Sequence, residues 1–365
     1  MAVFSPGLSG VTAFNTTIAE PDRDGGTLRY RGVDVTELSG RVNYQAVWSL
    51  LVTGDFRYSW PEVSPLKLQA RTGDIRVDAQ AHVALLGAKL GLKPVIDTNE
   101  KSVRDSLAQV TTYLHSFIAQ AARGDATAVP QSKIDTGESA ASRFMIEWQG
   151  DPDPLHIEAL ENYWITAAEH GANASTFTSR VIASTGADVS TAISGAIGAL
   201  SGPLHGGAPS RALDMVDAVM HTGDAQQHVR AVLDRGERLM GFGHPVYRAE
   251  DPRARILRDT AKRLRVPKFE AALAVEEAAL TELRARKPDR ILATNVDFWA
   301  AVVLDYAEIP HALLTPLFAC ARVAGWSAHV LEQTRDSKIF RPSADYVGEK
   351  NVRPEEVPGW STVAE

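Results

Sequence analysis

The sequence predicts a mainly α-helical fold with one short β-hairpin near the N-terminus. Three observations lead to this prediction. Most segments space apolar residues three or four positions apart and end at glycine or basic residues, which is typical of amphipathic helices. One early stretch alone combines β-branched residues with a turn signal. The 365 residues exceed the usual size of a single domain, so we expect two lobes, or one large helical body with an inserted piece.

The hairpin is predicted in residues 10–35, GVTAFNTTIAEPDRDGGTLRYRGVDV. Two short β-branched and aromatic stretches flank PDRDGG, a turn-forming run that suits a tight connection between antiparallel strands.

Helices are predicted through most of the remaining chain. The segments 43–54 and 102–124 end at Gly54 and Gly124, as a helix capped by glycine should. Segment 77–92 spaces its apolar residues for one face. In segment 269–286, three leucines fall on one side and the glutamates on the other, so we expect the glutamates to face solvent.

Two segments, 167–202 and 317–331, are unusually rich in alanine, glycine and serine. Small side chains let helices approach closely, so these segments are candidates for the buried centre or for a subunit seam. The tail after Tyr346 looks loosely organised.

Composition and charge exclude several classes of protein. Hydrophobic residues make up 44% and charged residues 23%, which is typical of a globular protein. A net charge of −7 argues against nucleic acid as a partner, since phosphate binding needs a basic face. No apolar run is long enough to span a membrane, and the opening residues lack the pattern of a signal peptide. We therefore expect a cytoplasmic protein without a membrane partner.

Four loop-like segments interrupt the helical patterns with residues that can carry chemistry. They contain His170, His205, the group His244, Arg248 and Arg253, and Asp297. Functional groups are usually placed on loops that rigid elements hold. Each residue also has a structural alternative: His170 could be a hydrogen-bonded core group inside a helix, the glycines beside His205 and His244 could only cap helices, and Asp297 could be an N-cap.

Three arginines indicate the kind of ligand that the site would bind. Arg322 interrupts an apolar, small-residue helix, where a buried guanidinium must find an anion. Arg253 begins a helix and Arg341 precedes a proline in an extended segment. Together with the histidines they indicate recognition of a small polycarboxylate, because a guanidinium matches two carboxylate oxygens at once. The alternative for all three is ordinary salt bridging to some of the 45 acidic residues, and for Arg253 taken alone that alternative is favoured.

Other chemistries find little support. The sequence contains neither a P-loop nor a complete dinucleotide-binding glycine motif, and it lacks a G-x-S-x-G elbow. His221 and His228 are seven residues apart without an H-E-x-x-H pattern, so we predict no metal site. The single cysteine, Cys320, is expected to be a small core residue.

Several motifs in register resemble the citrate synthase family. They are GPLHGG at 202–207, GFGHPVYRAEDPRA at 241–254, NVDF at 295–298, RVAGWSAHVLEQ at 322–333 and RPSADYVG at 341–348. GLSGVTAF and LRYRGVDVTEL resemble the N-terminal stretch of that family. The resemblance covers nearly the whole chain.

The resemblance implies a large helical domain from residues 1–206 and 310–365, and a small domain from 207–309 that closes over the site. It implies a homodimer with sites between the domains. It also implies a Claisen-type condensation of acetyl-CoA with oxaloacetate, followed by hydrolysis to citrate and CoA. Acetyl-CoA would be a substrate, and no cofactor would be needed.

By matched motif, the resemblance assigns catalytic roles to His205, His244 and Asp297. His205 and Asp297 would handle the acetyl group, and His244 would polarise the ketone of oxaloacetate. The acceptor would be bound by His170, Arg253, Arg322 and Arg341, the last supplied by the other subunit. Arg248 matches a position near the CoA phosphates, although a solvated loop arginine is the alternative.

Two other functions remain open at this point. The first is 2-methylcitrate synthase, which uses propionyl-CoA with the same catalytic groups; one methylene contributes only about 1–3 kcal/mol to discrimination. The second is a non-catalytic CoA-binding helical scaffold, against which the presence of all three catalytic side chains argues. Pro245 stands where many bacterial members have arginine, which leaves one CoA contact in doubt.

Overall fold

The computed structural model is mainly α-helical, which confirms the predicted fold class. It describes residues 4–8, 10–22, 24, 26–202, 205, 209–243, 247, 250–290, 292–336 and 338–364. Of the predicted site residues, His244 and Arg248 lie outside the described residues, as does Pro245.

The predicted hairpin is present and carries one more strand. Strands β1 (Ala19–Asp22) and β2 (Thr27–Tyr30) pair antiparallel, with Ala19 opposite Tyr30. A two-residue strand, β3 (Val33–Asp34), extends the sheet beyond β2. The third strand was not predicted, because two residues carry no measurable periodicity.

The helices of the first half are α1 (Tyr44–Thr53), α2 (Ile75–Leu90), α3 (Glu100–Arg123), α4 (Gln131–Ile134), α5 (Ala140–Gln149), α6 (Pro154–Ala167), α7 (Ala174–Ser184) and α8 (Val189–Leu200). Short 3-10 turns occupy Pro6–Leu8, Val35–Glu37 and Val95–Asp97.

The second half contains α9 (Pro209–Thr222), α10 (Ala225–Asp234), α11 (Pro252–Arg263), α12 (Phe269–Arg286), α13 (Val296–Tyr306), α14 (His311–Gln333) and α15 (Trp360–Val363). A 3-10 turn covers Pro354–Glu356. No helix in the described part of the chain is both long and apolar enough to cross a membrane.

Local sequence explains where these helices begin and end. Asn43 and Asn99 accept backbone N–H groups at the starts of α1 and α3, which satisfies donors that a helix leaves unpaired. The same two helices end at Gly54 and Gly124, both with positive φ. Glycine adopts that conformation without a side-chain penalty, so both predicted ends are confirmed.

Helix α14 runs through the centre of the molecule. It packs against α1, α3, α6, α7 and α8, and nearly all of its residues after Leu317 are buried. Small residues make this close packing possible: the backbone N–H of Gly325 donates to the carbonyl oxygen of Ala168 at 3.1 Å. A Cβ on Gly325 would lie 2.7 Å from that oxygen and would overlap the side chain of Glu169. The stretches predicted for the buried centre therefore lie there.

Helices α9 to α13 pack on one another, and α11 and α13 also pack against α6. Buried apolar residues from these helices and from the rest of the chain form one continuous cluster. The predicted division into residues 1–206 with 310–365, and 207–309, stays a prediction.

The expectation about the glutamates of α12 is only partly correct. Glu270 and Glu277 are exposed, but Glu276 and Glu282 are buried. Glu276 accepts hydrogen bonds from the Trp299 indole at 3.0 Å and from Arg258 at 3.4 Å, while Glu282 accepts from Arg230 at 2.7 Å. Buried carboxylates are tolerated when donors satisfy them, and these donors lie too far along the chain for helical periodicity to reveal them.

Candidate active site

Asp297 lies in the first turn of α13. Asn295 is the N-cap of this helix, and its side chain accepts the backbone N–H of Asp297 at 3.0 Å. The alternative use of Asp297 as the cap is therefore wrong, and its carboxylate is left for another purpose. The pKa of Asp297 is raised to about 6, chiefly by burial. Arg253 lowers this pKa and Asp251 raises it, and both effects are smaller than that of burial. A carboxylate with such a pKa is a stronger base than an ordinary aspartate.

Arg253 and Asp251 form a buried ion pair beside that turn. The Asp251 carboxylate accepts from Nε and Nη2 of Arg253 at 3.0 and 2.8 Å, and also caps α11 by accepting the Arg253 backbone N–H. It further accepts the backbone N–H of Val296 at 3.1 Å. Burial alone would lower the pKa of Arg253, but Asp251 holds it above its ordinary value. Asp251 thereby connects the starts of α11 and α13.

His170 lies in the turn between α6 and α7. The placement of His170 inside a helix is wrong, because α6 ends at Ala167 and α7 begins only after its cap, Asn173. The Nε2 atom of His170 lies 3.0 Å from the hydroxyl oxygen of Tyr247, and the two rings meet edge to face. The guanidinium carbon of Arg253 lies 5.9 Å from the centre of the Tyr247 ring. Tyr247 thus connects His170 to Arg253.

Arg322 is only 2% exposed and projects from α14. Its Nε donates to the carbonyl oxygen of Ala167 at 2.8 Å, and its guanidinium lies 4.8 Å from the centre of the Phe318 ring. Within the described residues it forms no salt bridge. Burial lowers the pKa of Arg322 from its ordinary value; Glu169 opposes this effect and Arg253 adds to it.

His205 is partly buried and lies on the same side of Phe318, with 6.4 Å between ring centres. Its Nε2 is 3.0 Å from the hydroxyl oxygen of Ser175 in the first turn of α7. Burial, with a further contribution from Arg322, lowers the pKa of His205. The imidazole is therefore held in its neutral form at neutral pH.

The Ser175 hydroxyl is part of a local network. It accepts from the indole N–H of Trp326 at 3.1 Å and donates to Oδ1 of Asn173, the N-cap of α7, at 2.8 Å. Because indole is only a donor, one lone pair of the Ser175 oxygen is already used, and its single proton reaches His205 only when the hydroxyl rotates away from Asn173.

Contacts join His170 to Arg253 through Tyr247, and the Phe318 ring lies near both Arg322 and His205. The charge of Arg253 acts on both Asp297 and Arg322. Arg341 is not among them: it is exposed in the extended segment after α14 and makes no hydrogen bond or ion pair with the described residues. The roles predicted for His244 and Arg248 concern residues outside the described ranges.

Sequence reasoning missed three residues of this site: Ser175, Tyr247 and Asp251. Two of them stood beside recognised residues, since Asp251 precedes Pro252-Arg253 and Tyr247 directly follows the GFGHPV segment. A serine two positions after an asparagine N-cap carries no signal for a partner 30 residues away.

The described residues contain no group of three His, Cys, Asp or Glu side chains that could hold a metal ion. Cys320 is fully buried in the core, as expected. The groups that this site offers for chemistry are two buried guanidinium cations, two imidazoles and a carboxylate with raised basicity. Such a set can bind a dianion and remove a proton from a weak carbon acid.

Comparisons with known proteins agree with this chemistry. The family model of the citrate synthase C-terminal domain matches residues 7–343. The chain is 57% identical over 362 residues to "Putative citrate synthase 2" of Mycobacterium tuberculosis, covering 99% of this chain and 97% of the relative. It is 33% identical over 365 residues to 2-methylcitrate synthase of Shewanella oneidensis, with 94% of each covered.

A solved structure of citrate synthase from Thermoplasma acidophilum, in ternary complex with carboxymethyl coenzyme A and oxaloacetate, superposes with a TM-score of 0.79. The two chains are 26% identical, and the match covers 97% of this chain and 98% of the other. Citrate synthases need no cofactor, since acetyl-CoA is a substrate. The chain belongs to the citrate synthase family, whose members are acyltransferases that catalyse a Claisen-type condensation.

Proposed function

We propose that this chain is a citrate synthase that condenses acetyl-CoA with oxaloacetate and hydrolyses the product to citrate and CoA. One observation carries the proposal: the Arg322 guanidinium is buried beside His205, with only a backbone carbonyl as its hydrogen-bond acceptor within the described residues. A cation in that position favours an anionic ligand, because a bound carboxylate offsets its desolvation.

Oxaloacetate is the acceptor, and its two carboxylates fit the two buried arginines. Arg322 takes one carboxylate and Arg253 helps to bind the other, while His170 donates a hydrogen bond from the turn before α7. Bidentate arginine contacts fix the orientation of a small dianion as well as its affinity, so one face of its ketone is presented for attack.

Enolisation of acetyl-CoA uses Asp297 and His205. Asp297 removes a proton from the methyl carbon, and a neutral His205 donates to the thioester oxygen as negative charge develops there. If the Ser175 proton points to Nε2 of His205, the remaining ring proton is on Nδ1 and can serve this purpose. The donation from Trp326 to Ser175 leaves the hydroxyl proton available for that arrangement.

The enol carbon then attacks the ketone carbon of oxaloacetate, forming a carbon–carbon bond and an alkoxide. Family resemblance assigns donation to this alkoxide to His244, and contacts with CoA phosphates to Arg248. Water attacks the thioester of citryl-CoA, and the carbon–sulfur bond breaks to give a carboxylate and the free thiol of CoA.

We also propose that residues 207–309 form a small domain that closes over the site, and that the protein is a cytoplasmic homodimer with Arg341 reaching the partner's site. The exposed position of Arg341 is compatible with that role, since a residue reaching another subunit must leave its own. Closure would exclude water until the carbon–carbon bond has formed.

The direct test is thiol release with oxaloacetate and acetyl-CoA, followed by identification of citrate. Purified protein should release CoA only when oxaloacetate is present, and Asp297→Asn should release none above background. CoA release without oxaloacetate, or no release at all, would contradict the proposal.

The subunit origin of Arg341 has its own test. Arg341→Ala and Asp297→Asn proteins should each be nearly inactive, but after unfolding and refolding together they should regain activity. Every mixed dimer would contain one intact site, so random pairing restores about a quarter of the normal activity. If both residues served the same subunit, mixing would restore nothing.

A second candidate, 2-methylcitrate synthase, is favoured by one observation, the 33% identity to the Shewanella oneidensis enzyme of that name. It uses propionyl-CoA, so the ratio of kcat/KM for acetyl-CoA and propionyl-CoA decides between the two. We expect acetyl-CoA to be preferred, and a preference for propionyl-CoA would establish the second candidate.

A further inference from the structure

Behind His170 lies a buried row of hydrogen-bonded polar side chains that the proposed mechanism does not use. Glu169, at the start of the row, is fully buried. Its Oε1 accepts the backbone N–H of Gly171 and lies 3.3 Å from Nε2 of His329 on α14. Glu169 directly precedes His170, and its carboxylate binds the residue that follows His170. It therefore fixes the backbone of the turn that carries His170.

Glu169 also acts on the other acceptor-binding element. Its charge is the strongest influence that opposes burial in setting the pKa of Arg322. Burial would raise the pKa of Glu169 itself, but His329 and Arg322 hold it below its ordinary value. Glu169 thus supplies negative charge to Arg322 while fixing the backbone beside His170.

The orientation of His329 is determined by Arg180 on α7. The Nη1 atom of Arg180 lies 3.0 Å from Nδ1 of His329. A guanidinium can only donate, so Nδ1 must accept and carries no proton. The single ring proton is then on Nε2 and points at Glu169, which fixes one tautomer of His329.

Arg180 is itself held by several groups. It donates to Glu332 at 2.7 Å and to Gln333 at 3.0 Å, both at the end of α14. Its guanidinium also stacks on the ring of Phe14, 3.8 Å from the ring centre. These contacts keep Arg180 directed at Nδ1 of His329 rather than at solvent.

We infer that Arg180 and His329 are positioning residues for acceptor binding: Arg180 selects the His329 tautomer that donates to Glu169, and Glu169 in turn holds His170 and Arg322 in place. This inference rests on the proposed function, since it takes oxaloacetate as the ligand of His170 and Arg322. Neither residue contacts the acceptor.

The inference gives a distinctive effect when Arg180 is removed. The charged groups that face His329 are Arg180 from α7, Glu169 from the turn, and Glu332 on α14 through Arg180. Without Arg180, only Glu169 distinguishes the two ring nitrogens, and a ring that carries its proton on Nδ1 gives no bond to Glu169.

Arg180→Met tests this, with the dissociation constant of oxaloacetate measured by calorimetry. Relative to the unchanged protein, we expect roughly tenfold weaker binding, the effect of one hydrogen bond to a charged group. Because Arg180 acts through the His329 ring, Arg180→Met/His329→Gln should bind oxaloacetate as His329→Gln does. Unchanged binding in Arg180→Met would overturn the inference, as would additive losses in the double variant.

A second measurement uses the unchanged protein and covers the case in which Arg180→Met does not fold. Two-bond nitrogen–proton spectra of ¹⁵N-histidine-labelled protein, assigned with His329→Gln, report the tautomer of this ring directly. We expect the Nε2–H form, and the Nδ1–H form or a mixture would overturn the inference. The tautomer measurement needs no substrate, so it tests the inference by itself. Failure of the proposed function would appear in other experiments, as absence of oxaloacetate binding and of thiol release.

Discussion

The two buried arginines of the site have opposite surroundings. Arg253 is paired through two hydrogen bonds with Asp251, a carboxylate that also caps α11 and accepts from α13. Arg322 is equally buried, but among the described residues it donates only to a backbone carbonyl, with an aromatic ring beside it. Arg253 has an ionic partner in the protein before any ligand binds, whereas Arg322 is placed where a ligand can neutralise it.

This difference teaches that burial alone does not show whether an arginine depends on a ligand for its ionic partner. A buried ion pair such as Arg253–Asp251 is disrupted strongly when one partner is removed, because the other charge is left uncompensated. A buried cation without an ionic partner contributes little to folding, so its presence indicates a functional requirement.

The largest expected effect is on catalysis, and it comes from removing the base Asp297, whose neighbour is Arg253. Asp297→Asn should lower kcat by about 10³- to 10⁴-fold, since general base catalysis is lost, while the dissociation constant of oxaloacetate changes little. Steady-state kinetics and calorimetry measure the two quantities. Asp305→Asn, on the same helix, is the matched control and should retain kcat. An equal loss of binding in Asp297→Asn would contradict the assignment.

The next effect tests the comparison of the arginines directly. Arg322→Met should weaken oxaloacetate binding by about 100-fold, the loss of a charge-assisted bidentate contact, yet change the free energy of unfolding by less than about 1 kcal/mol. Arg253→Met should lower the free energy of unfolding by about 3 kcal/mol, because Asp251 remains buried without its partner. Urea unfolding provides the comparison. Similar stability losses in both variants would show that the two arginines are structural to the same degree.

The pH dependence of activity tests whether Asp251 influences the pKa of the base Asp297. Because the pKa of Asp297 is raised to about 6 and the base acts when ionised, kcat/KM for acetyl-CoA should fall as the pH drops through that value. Asp251→Asn removes a nearby negative charge that raises this pKa, so the acid limb should move to lower pH. An acid limb that stays in place would mean that Asp251 does not influence the base.

The smallest effect concerns the support of His205. Ser175→Ala should lower kcat about fivefold to tenfold, near the value of one hydrogen bond, with little change in KM. Ser179→Ala is a suitable control, since Ser179 is also buried on α7 and its hydroxyl, as far as the described residues go, bonds to the carbonyl of Thr176 alone. Equal reductions in both variants would point to a packing defect rather than to the bond with His205.

The fold could be predicted from sequence where local chemistry determines it. Glycine at positions 54 and 124 ends helices through a conformation that other residues rarely adopt, and the PDRDGG turn fixes the hairpin. Helical periodicity did not predict the burial of Glu276 and Glu282 on α12, because their hydrogen-bond donors come from other helices.

The site could be predicted only in part, for a related reason. Motifs located His205, Asp297 and Arg322, since these residues stand out against their neighbours. Sequence reasoning could not find that Arg180 and His329 meet, because 149 residues separate them and a polar residue inside a helix is usually solvated. It also placed His170 inside a helix, where a short turn between α6 and α7 carries no strong breaker beyond Gly171.

Gly325 shows how this architecture limits protein engineering. Replacing a glycine in the middle of a helix with alanine usually stabilises that helix by about 1 kcal/mol, which makes such positions attractive for raising thermal tolerance. Here the added methyl group would push α14 away from Ala168 and Glu169, and would carry Arg322 with it. Any thermostable variant of this enzyme therefore has to gain its stability elsewhere, because at this position helix propensity conflicts with the close packing that places Arg322.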